Sequence, residues 1–109
     1  MPTVAVGEYR EQRVVWTYSP DRWPAGLISG WADEDHLFHV EHVVTFRRGI
    51  LLAMLRAGVE AARDEGFAAL VITIPVDFPP ALGLLRLARR LGFEPYASDP
   101  AAYHVVRWL

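Results

Sequence analysis

Two periodicities divide this chain. Through the first 46 residues, apolar side chains alternate with polar ones or gather in short β-branched and aromatic runs. Gln12 to Tyr18 (QRVVWTY) is such a run, and Ser19-Pro20-Asp21 is a turn signal that stops it. Leu27 to Trp31 is a second run, closed by the acidic turn Ala32-Asp33-Glu34-Asp35. His36 to Phe46 (HLFHVEHVVTF) is a third, with Phe38, Val40, Val44 and Phe46 spaced to share one face at period two. The three runs predict an antiparallel meander.

From Gly49 the period lengthens. Leu51, Met54, Leu55, Val59 and Ala62 recur at three and four within Ile50 to Glu65, while Arg56, Glu60, Arg63 and Asp64 take the other side. This predicts an amphipathic helix with Gly66 as its left-handed cap. Ala68 to Ile74 (AALVITI) is an unbroken apolar run ended by Pro75, as expected of a strand covered on both faces. Pro79-Pro80 open a second helix with a predicted buried stripe of Leu82, Leu85, Ala88 and Leu91, and Gly92 caps it. Tyr103 to Leu109 (YHVVRWL) is a last strand. Gly66-Phe67 and Gly92-Phe93 read as two similar caps, each with a hydrophobic contact. The predicted fold is α/β (α+β), one domain over residues 1–109, in the order β-β-β-α-β-α-β.

Composition narrows the classes. With 52% hydrophobic and 22% charged residues the chain is no disordered tail, and its apolar stretches fall short of the ~20 residues a membrane helix needs. The start MPTVAVGEYREQR has no basic stretch followed by an apolar run, so a cytoplasmic product is expected. No cysteine means no disulfide, no thiolate nucleophile and no cysteine-bound metal. A net charge of −2 argues against nucleic acid. All 11 basic residues are arginine, which excludes a catalytic lysine. A compact chain of this mass keeps roughly 6,100 Å² exposed, leaving a modest core that an interface would enlarge. The short N-terminal half and four tryptophans therefore predict a homo-oligomer. Most of the tryptophans are expected in the core, with Trp23, among the turn residues Pro20 to Pro24, as an exposed anchor.

His36, His39, Glu41 and His42 crowd seven positions of one predicted strand. Strict alternation puts His39 and Glu41 on one face and His36 and His42 on the other, a poor geometry for metal. Each histidine is either a general base or a half-buried residue bonded to a neighbour. Arg47 and Arg48 stand just before the helix that Gly49 opens, where unpaired N–H groups and the helix dipole favour an anion. They are either phosphate ligands or loop charges, solvated or paired with Asp33, Glu34 or Asp35. Arg86, Arg89 and Arg90 form a basic helix side, read as a solvated face.

From His36 to Leu109 the chain resembles the second half of the GNAT acetyltransferases. The resemblance rests on Arg-Arg-Gly-Ile at the helix start, on "ARDEGF" and "RLGFEPY", and on the interval from Gly49 to Gly66. It implies a GNAT-like, mixed and mostly antiparallel sheet splayed open for the pantetheine arm of acetyl-CoA. It further implies pairing of the Val43, Val44 and Thr45 backbone with that arm. Arg47, Arg48, Gly49 and Ile50 would meet its pyrophosphate, and Glu41, His39 or His42 would take the proton from a small-molecule or peptide amine. The sequence departs from the family pattern in carrying Phe46 and Leu51 where an Arg or Gln and a second glycine are usual. Ala81 and Ala88 replace the usual asparagine and tyrosine, the latter being the thiolate's proton donor. The alternative is a GNAT-fold binding or structural module without catalysis, of a kind a phage or mobile element could carry.

Placing Ala68 to Ile74 inside the sheet has a direct consequence. Val71→Asp is expected to abolish folding, because an unpaired buried charge costs several kcal/mol against a total stability of about 5 to 15. Circular dichroism and solubility of the variant check this.

Overall fold

The computed structural model describes residues 3–8, 13–77 and 79–109. Its elements are β1 (Thr3–Glu8), β2 (Arg13–Ser19), β3 (Gly26–Ala32), β4 (Leu37–Thr45), α1 (Leu51–Asp64), β5 (Ala69–Pro75), α2 (Ala81–Arg90), β6 (Glu94–Ser98) and β7 (Ala102–Trp108). All seven strands form one sheet in the order β1-β2-β3-β4-β5-β7-β6, every pair antiparallel except β4 with β5. The expected architecture is present with two more strands. β1 pairs with β2 from Thr3↔Ser19 to Glu8↔Val14, and β6 pairs with β7. Both lie in segments with no clean apolar alternation, one of which contains Pro95. Gln12, the first residue of the predicted opening strand, lies outside the described residues.

Strands β4, β5 and β6 run the same way, and the chain steps across the sheet in one direction between them. Right-handed crossovers then place α1 and α2 on the same face. One core results, in which Trp16, Ile28, Phe38, Leu70, Ile72, Ile74 and Val105 of the sheet meet Met54, Leu55, Val59 and Ala62 of α1 and Ala81 and Ala88 of α2. Trp16 stacks on Phe38 at 4.6 Å between ring centroids, and Phe67 closes the group at 5.3 Å from Phe38. The two caps are built alike: Gly66 and Gly92 sit at φ +85° and +86°, and the N–H groups of Phe67 and Phe93 donate to Ala62 and Ala88.

Among the described residues the opposite face carries no helix, and residues 9–12 alone separate β1 from β2. Ala69, Val71 and Val106 are nevertheless buried there, by packing on one another and on Leu37. The exposed area of 6992 Å² exceeds the roughly 6,100 Å² expected of a compact chain. Tryptophan follows the same division, and most of it is not core. Trp16 alone is buried, while Trp31 and Trp108 lie on the open face and Trp23 is exposed in its turn. Among the described residues no helix is long and apolar enough to cross a membrane.

Two apolar patterns differ from expectation. The buried stripe of α2 is Ala81 and Ala88 with Leu84 and Leu85 beside them, and Leu82 points outward. On β4 the register steps from Gly30↔Val40 to Ser29↔His42, leaving Glu41 as a bulge. The extra residue inverts the alternation, so Val43 turns to the core while Val44 and Phe46 are exposed.

The bulge is protected by close backbone approach. A Cβ on Gly30 would meet the His39 carbonyl oxygen at 2.0 Å, whereas one on Gly83, inside α2, would meet nothing. Gly30→Ala is expected to lower the melting temperature sharply. Gly83→Ala is expected to raise stability by about 0.5 to 1 kcal/mol, as thermal denaturation of both variants will read.

Candidate active site

The site begins where two strands part. β4 and β5 pair in parallel from Leu37↔Ala69 to Val40↔Ile72 and no farther, although β4 runs on to Thr45 and β5 to Pro75. Beyond that point each strand follows its antiparallel neighbour. Val43, Val44 and Thr45 stay with Ile28, Leu27 and Gly26 of β3, and Thr73, Ile74 and Pro75 stay with His104, Tyr103 and Ala102 of β7. The facing edges of β4 and β5 thus carry backbone groups without sheet partners.

Two adjoining clefts occupy the gap. The first, about 300 Å³, passes between Glu41, His42, Val43 and Val44 on one wall and Ile72, Thr73, Ile74 and Pro75 on the other, with Leu84 closing it on the helix side. The second, about 320 Å³, continues between the starts of the two helices, lined by Val43, Thr45, Leu51, Pro80, Gly83 and Leu84. Both are chiefly apolar, and the first opens toward the bare face of the sheet. Together they make a slot through the sheet that ends beside the N-terminus of α1.

That N-terminus bears no side-chain cap and no acidic residue in its first turn. Its first in-helix hydrogen bond is donated by Met54 to Ile50, so the amides before Met54 point outward. Gly49 turns the chain into the helix at φ +76°. Of the two arginines before it, only Arg48 is unengaged among the described residues. Arg47 is committed elsewhere than expected. Its guanidinium donates to both oxygens of Asp21, at 2.9 and 3.0 Å, and to the Trp23 carbonyl at 2.8 Å, not to Asp33, Glu34 or Asp35. This pair ties the segment after β4 to the turn between β2 and β3, and it lowers the Asp21 pKa and raises that of Arg47.

The expected bases do not converge. Because of the bulge, His39 and His42 share the open face, contrary to strict alternation, and His36 lies in the preceding turn at φ +61°. His39 stacks under Trp31 at 4.3 Å and donates to Asp33 at 2.7 Å, beside the paired part of β4 and away from the clefts. Glu41 accepts from Arg13 at 2.9 Å. His42 lines the cleft, its Nδ1 lying 3.2 Å from the Ser29 hydroxyl.

A group that the sequence reading passed over faces these residues. His104 of β7 contacts Thr73 at 3.1 Å through Nδ1 and Asp99 at 2.8 Å through Nε2. Asp99 is itself held by the amides of Ala101 and Ala102 in the turn between β6 and β7. A Thr-x-x at the end of an apolar strand and an Asp five residues before a histidine are weak signals apart. Only the pairing of β5 with β7 joins them.

No protein-family model and no curated protein matches the sequence. Solved structures do match its fold. A Bacillus subtilis acetyltransferase in complex with CoA superposes with a TM-score of 0.78 at 12% identity, covering 100% of this chain and 99% of that one. A Desulfovibrio desulfuricans protein described as an acetyltransferase of the GNAT family gives 0.71 at 14% identity, over 89% of this chain and 69% of that one. This chain has the GNAT fold. The Campylobacter jejuni N-acetyltransferase PseH, solved with acetyl coenzyme A, gives 0.77 at 13% identity, over 89% and 68% of the two chains. In this GNAT fold the strand β1 is present, and residues 9–12 alone separate it from β2.

The two carboxylates paired with histidine contribute to the acid behaviour. Hydrogen bonds from His39 to Asp33 and from His104 to Asp99, with backbone amides, hold both carboxyls below their ordinary pKa. The unfolded chain then binds more protons in acid, so the stabilisation is complete above the unfolded carboxylate range and drains as pH falls. The melting temperature is expected to drop between roughly pH 5 and pH 3, and Asp33→Asn with Asp99→Asn should flatten that drop.

Proposed function

We propose that the chain is an acetyl-CoA-dependent N-acyltransferase of GNAT type, passing an acetyl group to an amine on a small molecule or peptide. The observation that carries this reading is the slot between β4 and β5 leading to the uncapped start of α1. An extended pantetheine fits such a slot, and the free backbone edge of Val43, Val44 and Thr45 pairs with its amides as an added strand does. The pyrophosphate then meets Gly49, Ile50, the first amides of α1 and the Arg48 guanidinium. Arg47 contributes by fixing the β2–β3 turn beside the site. Glu41 and His42 present polar groups where the amine enters from the open face, while His39 is committed to Asp33. The bare face leaves room for an acceptor that a smaller pocket would exclude.

A second reading is a GNAT-fold module that binds without catalysing. It is favoured by Ala81 and Ala88 on α2, neither of which can protonate a departing thiolate, and by Leu51 lining the cleft where glycine is usual. A self-associating chain, covering the open face with a second copy, is compatible with either.

Calorimetry and thermal shift separate the two. Acetyl-CoA is expected to raise the melting temperature by mass action. Arg48→Ala should weaken binding roughly 10-fold, with salt weakening it further. Leu51→Gly should tighten it despite a helix cost of about 1 kcal/mol. If wild type and Leu51→Gly both ignore millimolar acetyl-CoA, the transferase reading fails.

A further inference from the structure

We propose that the proton of the attacking amine leaves through the Thr73 hydroxyl to His104, with Asp99 as the positioning residue behind it. The proposal deepens the acetyl-transfer reading and rests on it. Its ground is a continuous chain of three side chains ending in the cleft: Asp99 Oδ2, His104 Nε2 at 2.8 Å, His104 Nδ1, and Thr73 Oγ1 at 3.1 Å. Thr73 lines the wall opposite His42.

The proton positions follow from chemistry. A carboxylate only accepts, so Nε2 carries the hydrogen donated to Asp99, and Nδ1 keeps a lone pair for the Thr73 hydroxyl. Asp99 cannot turn away, since it also accepts from the amides of Ala101 and Ala102. Its depressed pKa keeps it ionised at neutral pH. Tyr96 of β6 meets the imidazole edge-on at 6.1 Å and limits its rotation. This is the arrangement that activates hydroxyls in covalent catalysis, a base within hydrogen-bond reach and oriented by a third group. Here the hydroxyl serves as a relay.

The alternatives on β4 are less suited. His42 has a hydroxyl and no carboxylate behind it, and Glu41 is neutralised by Arg13. The alkylammonium first loses a proton to Thr73 Oγ1 as that oxygen gives its own to Nδ1, and the freed nitrogen lone pair attacks the thioester carbon. The carbon–sulfur bond breaks, its electron pair leaves with the CoA sulfur, and the nitrogen's second surplus proton follows to that thiolate. Imidazolium then lies against the Asp99 carboxylate, and no other reactant is needed.

The test compares two nucleophiles. Spermidine, tyramine and an alanyl peptide are alkylamines that must shed a proton, whereas hydroxylamine is far less basic and is unprotonated at neutral pH. With the alkylamine that turns over, His104→Gln and Thr73→Val should each lower kcat about 100-fold, with KM for acetyl-CoA within twofold of wild type. Asp99→Asn should follow them, and Thr73→Ser should restore the rate. Hydroxylamine turnover should fall far less in all of them, and melting curves should show each variant folded. Equal losses with both nucleophiles, no loss, or an acetyl group found on Thr73 by mass spectrometry would overturn the relay. If wild type binds acetyl-CoA but turns over no amine, the transfer reading falls and the relay with it. If His42→Ala alone abolishes alkylamine turnover, the base lies on β4 and the relay is wrong.

Discussion

The parting of β4 from β5 organises everything else in this molecule. Two parallel strands share four residue pairs and then diverge, because each is held by an antiparallel neighbour along the rest of its length. Antiparallel ladders are somewhat more stable per residue than parallel ones, so the weaker pairing is the one that opens. The bulge at Glu41 adds local twist at the branch point, and Gly30 opposite it allows the backbones to come close. α1 bridges the two strands beyond their ends, which brings its free amides to the mouth of the gap. A slot with unpaired backbone on its walls and a positive helix end at its exit follows without any dedicated polar pocket.

The second governing feature is the one-sided placement of the helices. Crossover handedness puts both on one face and gives a single core containing Trp16, Phe38 and Phe67. Among the described residues the other face carries no helix, and polar side chains settle there as pairs: His39 with Asp33, His42 with Ser29, His104 with Asp99 and Thr73. Each pair spans neighbouring strands or a strand and its adjoining turn, so these contacts also hold the sheet's turns in place. The slot reaches this face beside two of the three histidines. An apolar passage thus ends among groups able to accept a proton.

Arginine use follows the same logic of commitment. Arg47 gives three donors to one turn, and Arg13 answers Glu41. Arg48 is left at the helix start, where a cation beside the positive dipole end is unfavourable unless an anion joins it.

Local pattern alone determined both helices and every strand except β1 and β6, both glycine caps and the interior position of β5, since these depend on side-chain periodicity and on backbone conformations only glycine adopts readily. It also carried the likeness that points to a slot between β4 and β5. Other features were settled only by tertiary structure. The bulge at Glu41 changes which of Val43 and Val44 is buried, and no periodicity announces an inserted residue. The partner of Arg47 is Asp21, 26 positions away, reached through a turn that brings distant carboxylates equally near on paper. Thr73 and His104 lie 31 positions apart and meet because β5 and β7 pair in one register out of several. Non-local pairing of this kind is fixed by the packing of a whole face, which is why a single run of residues does not reveal it.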